Sequence, residues 1–485
     1  MNNHLEVKNP SWNELFTIKG GNYKIEIPPY QRPYVWDNKK VEQLLIDWNE
    51  FIDSDFTDNS WYYMGSIIIH INEDEKVLNI VDGQQRLTTL LIIDNELHGK
   101  DSALNRFDKQ LKFNFSHHLS RKNISCNTRL IKKLIASKKY NRIKDKKVAI
   151  FDHLKFSVIL TDSEDDAFTF FDSQNNRGIQ PAAVDVMKAV HLRAIKNDEN
   201  LRKDCAIKWQ DIQLTPKNIF RNSQEDYLDN LVDMALWRIR CWKGATFENN
   251  SNYNSAMDEF ANNPKKGHGN IVKYYSKASN ETIRYTDNLA TKQSISDIEN
   301  AIDKLYPFSI RQPLFKGVSV FTYFETYHRV AQKLFQENTD DSEINKVRKF
   351  YETIYEEKKC SKYMSDYFII MMIAYYDKFG TNKLYHFALL IDYVIGTIRL
   401  NSYYFKEVTM RNLMSEHNIL DIIQISFEPD DIFNYITSLN LKDENRHPEN
   451  GPINNYINAC KNYFNRSFDG DLRDVKLNWI ENCYE

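Results

Sequence analysis

The side chains best equipped for chemistry stand together in Asp82-Gly83-Gln84-Gln85-Arg86, inside the longer run Ile80 to Leu91. Asp82 can hold a metal or accept a proton. Gln84 and Gln85 can place a water, as glutamine does in some phosphoryl-transfer enzymes, and Arg86 can grip a phosphate through two parallel N–H bonds. Gly83 lets a ligand approach the main chain. A helix beginning near Gln84 or Gln85 would add unpaired N–H groups and a positive dipole end, which suit an anion. The same residues also fit plain local structure: Asp82 as a helix cap, Gly83 as a turn, Arg86 paired with a surface carboxylate. Spacing alone leaves both open.

The elements that must position this group can be read on either side of it. The β-branched run Ile67 to Ile71, the charged turn Asn72 to Lys76 and the second run Val77 to Val81 predict a hairpin that stops at Asp82-Gly83 and passes into a helix. Upstream, Trp12 to Ile18 reads as a short helix and Tyr23 to Ile27 as a strand. Pro28, Pro29 and Pro33 then keep a segment extended that presents Tyr30, Arg32 and Trp36. Asp37 is placed to cap a helix whose core face is Val41, Leu44, Leu45, Trp48 and Ile52. Downstream, Phe151 to Leu160 reads as a strand, and Glu164 to Phe171 as a helix leading to Asn175-Asn176-Arg177-Gly178. Asp185 and Lys188 follow on the next helix.

Three blocks, in order, resemble one family. Val81 to Thr88 looks like the Asp-Gly-Gln-Gln-Arg signature of the ParB/sulfiredoxin-like domain of GmrSD-type, modification-dependent (type IV) restriction systems. Ile27 to Trp36 resembles the family's Pro-x-Tyr-Gln-Arg-x-Tyr-x-Trp block, and Phe170 to Gly178 with Val184 to Lys188 resembles its Asn-x-Arg-Gly and Asp-Leu-x-Lys block. The resemblance implies an antiviral-defence protein whose domain binds a nucleoside triphosphate with Mg²⁺. It assigns Arg86 to the phosphates, Asp82 to the metal or to water activation, and Gln84 and Gln85 to water or phosphate positioning. Gly83, Arg32, Asn175 and Arg177 would complete the nucleotide pocket.

Composition bounds the remainder. With 485 residues the chain is too long for one ordinary core, and its formal net charge of −3 does not announce a nucleic-acid binder. Charge is local instead: from Arg106 to Lys147 there are fourteen Lys or Arg residues against two acids, Asp108 and Asp145. This stretch, read as a basic insertion at about 101–148, suits a phosphate backbone, with Arg121, Lys122, Lys132, Lys133, Lys138 and Lys139 as candidate DNA contacts. A solvated helical insertion is the plainer alternative. Six scattered cysteines without a Cys-x-x-Cys pair, and no long apolar run, fit a soluble, cytoplasmic protein without a membrane partner.

The expected fold is α+β, with the ParB/sulfiredoxin-like α/β domain over 1–200 and a large all-α region over 201–485. Helical spacing marks Ile219 to Trp242, Ile295 to Tyr306, Ser319 to Phe335, Glu343 to Tyr355, Tyr363 to Phe379 and Leu384 to Leu400. Arg311 to Gly317 also resembles the helical part of the family, with packing as its expected role. Many relatives end in an HNH nuclease. Here only Arg446-His447-Pro448-Glu449-Asn450 comes near that pattern, and it lacks the preceding Asp and the apolar strand. A nuclease would then be a separate HNH-type partner, or the chain would act as a homo-oligomer. The leading expectation is an NTP-hydrolysing, DNA-sensing restriction subunit directed at modified phage DNA. The alternatives are a non-catalytic DNA-binding or docking protein, and a ParB-like DNA nickase.

Overall fold

The computed structural model describes residues 5–28, 31, 33–53, 57, 60–115, 118–164, 166–167, 170, 182–216, 218–220, 227–244, 253–267, 269–272, 284–286, 289–291, 309–355, 360–402, 404–441 and 451–483. The chain divides into two compact units, Met1–Pro181 and Ala182–Glu485. The division falls before the position near 200 expected from the sequence. The helix Ala183–Ala194 belongs to the second unit, where its buried His191 imidazole donates to the Phe260 carbonyl at 2.6 Å and accepts from the Gly317 amide at 3.2 Å.

The first unit is built on one mixed sheet of β1 (Leu5–Lys8), β2 (Lys24–Glu26), β3 (Tyr62–Asn72), β4 (Val77–Asp82) and β5 (Leu154–Thr161), in the order β1-β5-β3-β4-β2. β3 and β4 form the predicted antiparallel hairpin. β5 lies parallel to β3, β2 parallel to β4, and β1 antiparallel to β5. The helices are α1 (Trp12–Leu15), α2 (Asn38–Asp53), α3 (Gln84–His98), α4 (Ala103–Arg106), α5 (His118–Ile135), α6 (Asn141–Asp145) and α7 (Lys147–Asp152). The strand expected over 151–160 begins only at Leu154, because Phe151 closes α7 and packs into the core.

Period-two alternation sends Ile67, Ile69 and Ile71 of β3 to one face, where they meet Leu78 and Ile80 of β4 and all five predicted α2 positions, Val41, Leu44, Leu45, Trp48 and Ile52. Each such side chain contributes about 1.5–3 kcal/mol when fully buried. α3 is enclosed almost all round, with Leu87 to Asp94 buried in sequence, as expected for a central helix. Its far end is fixed by Asp94, whose carboxylate accepts from the Ala103 amide at 2.6 Å and pairs with His98 Nδ1 at 2.7 Å. The basic stretch is built into this unit and is no appendage: Ile131, Ile135, Tyr140 and Ile143 join the same core.

The second unit is helical, with a two-stranded hairpin, Arg284–Thr286 and Leu289–Thr291, that the helical pattern does not foretell. The helices Val318–Phe335, Ser342–Ile354, Lys362–Phe379 and Leu384–Asn401 match their predicted spans closely. The helical stretch after Tyr227 contains a π segment, Leu231–Leu236, and ends at Cys241. The helix expected over 295–306 lies outside the described residues, as does the segment with Arg446 and His447. Arg311 serves packing, as expected: its guanidinium donates to the carbonyls of Ile239 at 2.7 Å and Trp242 at 2.8 Å and pairs with Asp421 at 2.5 Å. All six cysteines are free thiols. Among the described residues, no helix is long and apolar enough to cross a membrane.

Candidate functional site

The hairpin delivers its charged end straight into α3. β4 stops at Asp82, and Gly83 turns the chain with φ 94°, a value L side chains rarely adopt; a Cβ there would also stand 3.0 Å from Ile67 Cγ1. Gly83 is therefore the residue before the helix, and no side chain caps α3. The capping role open to Asp82 is not realised. Its carboxylate instead lies 3.5 Å from Arg86 Nη2, one turn on.

Arg86 rests in a cradle made by β3. Its Nη1 donates to the Met64 carbonyl at 3.3 Å and its Nη2 to the Ser66 carbonyl at 2.5 Å. Between them lies Gly65, with φ 95°, where the β3–β5 register slips and where a Cβ would meet Nη1 at 2.1 Å. The missing side chain is what admits the guanidinium. With five donors, an arginine engaged by two carbonyls and one carboxylate retains N–H groups for an anion, and 28% of the side chain is exposed.

The two glutamines divide. Gln85 Oε1 accepts from the amides of Val35 at 2.9 Å and Trp36 at 3.3 Å, and its Nε2 donates to the Pro33 carbonyl at 2.9 Å. Both ends of its amide thus anchor the proline-rich segment, so the contacts seen for Gln85 are to backbone. Gln84 is also buried, yet among the described residues its Oε1 has no hydrogen-bond partner, and neither does Thr88 Oγ1 one turn along. Buried polar atoms rarely go unsatisfied, so this face of α3 has capacity left for a ligand group or water.

The segment following Pro28 is drawn onto the junction from several sides. Gln31 Nε2 donates to the Val81 carbonyl at 2.7 Å. The buried Tyr34 hydroxyl bonds Thr89 Oγ1 at 2.8 Å, and burial pushes its pKa up. From α5, Ser120 accepts from the Tyr34 amide at 3.0 Å, Asn123 donates to the Tyr34 carbonyl at 2.9 Å, and Asn127 donates to the Trp36 carbonyl at 2.8 Å. Two of the three sequence blocks are thus brought together. Arg32, Asn175 and Arg177 lie outside the described residues, and Lys188 lies in the second unit.

α5 carries two faces. Ser120, Asn127, Ile131 and Ile135 point inward, whereas Arg121, Lys122, Lys132 and Lys133 are exposed, as are Lys138 and Lys139 beyond it. Among the described residues no cluster of three His, Cys, Asp or Glu side chains could hold a metal by itself. Asp82 fits a divalent cation as one ligand beside phosphate oxygens, the usual habit of Mg²⁺.

Sequence reasoning passed over Gln31, Gly65, Thr88 and the α5 asparagines. A lone glycine inside a strand pattern signals a bulge or a close approach, so Gly65 was open to detection. The others needed the fold.

Residues 13–192 match the family model described as the GmrSD restriction endonuclease, N-terminal domain. Over these residues the chain carries the N-terminal domain of a GmrSD-type restriction protein. Residues 201–451 match a family of unknown function (DUF7834), and since this match spans more than half of the chain, the chain belongs to that family. No curated protein matches the chain. The GmrSD match runs past Pro181, so it takes in the helix Ala183–Ala194 of the second unit together with the whole junction.

Proposed function

We propose that the first unit binds and hydrolyses a nucleoside triphosphate at the Asp82–Arg86 junction, and that turnover is coupled to DNA contact along the basic face of α5. Cleavage would fall to a nuclease domain or a separate HNH-type partner. The observation that carries this reading is the uncapped start of α3, flanked by an arginine set on Gly65 and a carboxylate in reach. Arg86 binds the phosphates, and the first amides of α3 share their charge. Asp82 contributes one ligand to Mg²⁺, which when bound neutralises phosphate charge. Gln84, with its unpartnered Oε1, orients water or a phosphate group, while Gln85 keeps the 33–36 segment in place. Arg32, Asn175 and Arg177 are assigned to the nucleotide as well, and modified phage DNA is the target sensed.

The test is phosphate release by the purified chain with each ribonucleoside triphosphate and Mg²⁺, with and without modified and unmodified DNA. Arg86→Ala should lower turnover by about a hundredfold or more, the usual cost of removing one preorganised donor to developing charge. Wild-type turnover by that variant refutes the assignment. A second reading, DNA binding without turnover, is favoured by one observation: the Met64 and Ser66 carbonyls and the Asp82 carboxylate all engage Arg86 from within the chain, which gives the arginine a structural role. Salt-sensitive DNA binding with no phosphate release in any condition would select it.

A further inference from the structure

Exposed aromatics cluster at the opposite end of β3 from the hairpin turn. Trp61, which leads into β3, is 52% exposed and Tyr63 is 61% exposed, and two-residue spacing puts both on one side of the sheet. Tyr63 pairs in register with Lys155 of β5, whose ammonium lies 4.2 Å from the centre of the Trp61 ring. The His153 ring stands 5.5 Å from the same indole, its Nδ1 donating to the Ser60 carbonyl at 2.5 Å. One side of Trp61 is thus backed by a cation while half of the residue stays in solvent. Two large aromatics on one side of the sheet, with an ammonium beside them, leave flat surface on which a further ring can stack.

The surroundings indicate what that is. His153 also lines a shallow cavity of about 560 Å³ that reaches Lys146 and Lys147, the last cations of the basic stretch; Asp145 and Asp152 lie in the same lining. Flat rings with one ammonium over the Trp61 indole and two more in the cavity that His153 lines match the chemistry of unpaired bases on a phosphate chain. Duplex DNA offers no free base faces, so the aromatic pair adds nothing to duplex binding.

We infer that Trp61 and Tyr63 form a stacking platform for single-stranded DNA, extending the phosphate-binding face of the basic stretch. This rests on the DNA-contact reading above and deepens it by naming the strand state bound.

The experiment is fluorescence anisotropy of the full chain with a labelled oligothymidylate, an oligouridylate of the same length and the matching blunt duplex. Trp61→Ala and Tyr63→Ala should each weaken oligothymidylate binding by about tenfold, leave duplex affinity within about twofold, and Trp61→Phe should recover most of the loss. Alanine variants that bind the single strand like wild type overturn the inference, as does a wild-type chain that binds duplex alone or RNA alone. Binding to none of the three overturns the DNA-contact reading as well, which separates the two failures.

Discussion

Two ion pairs, one in each unit, use similar chemistry to different ends. At the junction, Asp82 and Arg86 stand 3.5 Å apart with 27% and 28% of their side chains exposed, and the guanidinium keeps spare donors. In the helical unit, Asp392 pairs with Lys476 with 0% and 3% exposed, and the hydroxyls of Tyr355 at 2.7 Å and Tyr456 at 3.2 Å converge on the same carboxylate. Desolvation explains the contrast. A sealed pair must satisfy all its charge internally and becomes structural, whereas a pair at the rim can exchange one partner for an incoming anion. Gly396 belongs to the sealed design, since a Cβ there would meet the Tyr456 hydroxyl at 1.9 Å.

The largest effect should come from breaking the sealed pair. Lys476→Ala strands a buried carboxylate and should cost about 3–5 kcal/mol, read as a lower denaturant midpoint in chemical unfolding. A loss below 1 kcal/mol would mean that Asp392 reaches water.

Next comes the cradle. Gly65→Ala forces a Cβ onto the Arg86 guanidinium and fixes a poor φ, so about 1–3 kcal/mol should be lost together with nucleotide turnover. An alanine variant with normal turnover would show that Arg86 need not lie on β3.

Lys188 sharpens the comparison, because it is buried with no hydrogen-bond partner among the described residues. Burial pushes its amine down to about 7, with Asp185 pulling the other way. Below about pH 7 both folded and unfolded chains hold the proton, and the full penalty of burying charge applies. Between about 7 and the ordinary lysine value of 10.5 only the unfolded chain holds it, so this group makes stability rise with pH across that window. Lys188→Met should remove that slope and raise stability at pH 7 by about 1–3 kcal/mol. An unchanged slope would place the titration elsewhere.

The smallest stability change is expected at the rim. Asp82→Asn should alter unfolding by no more than about 1 kcal/mol, in line with a partly solvated pair, while nucleotide turnover falls sharply. Equal losses in both would make the junction structural.

Much of this was legible beforehand. The hairpin, the helix start at Gln84 and the five core positions of α2 follow from local periodicity and from glycine and proline chemistry, which act over a few residues. Less visible was the division of labour between Gln84 and Gln85. Adjacent helix positions point about a quarter-turn apart, so their partners depend on which elements pack on each side. The basic stretch was legible only in part for a related reason: its charge pattern is open to view, but the inward asparagines of α5 acquire meaning only against Tyr34 and Trp36.

The sequence by itself determined the strand-turn-helix junction, the helical character beyond residue 200 and the identity of the charged groups, because these depend on near neighbours in the chain. Tertiary structure alone decided that Gly65 cradles Arg86, that Gln85 is spent on the 33–36 backbone, and that one ion pair is sealed while another stays open. Those outcomes depend on burial and on contacts between residues far apart in sequence, and residue type does not encode either one locally.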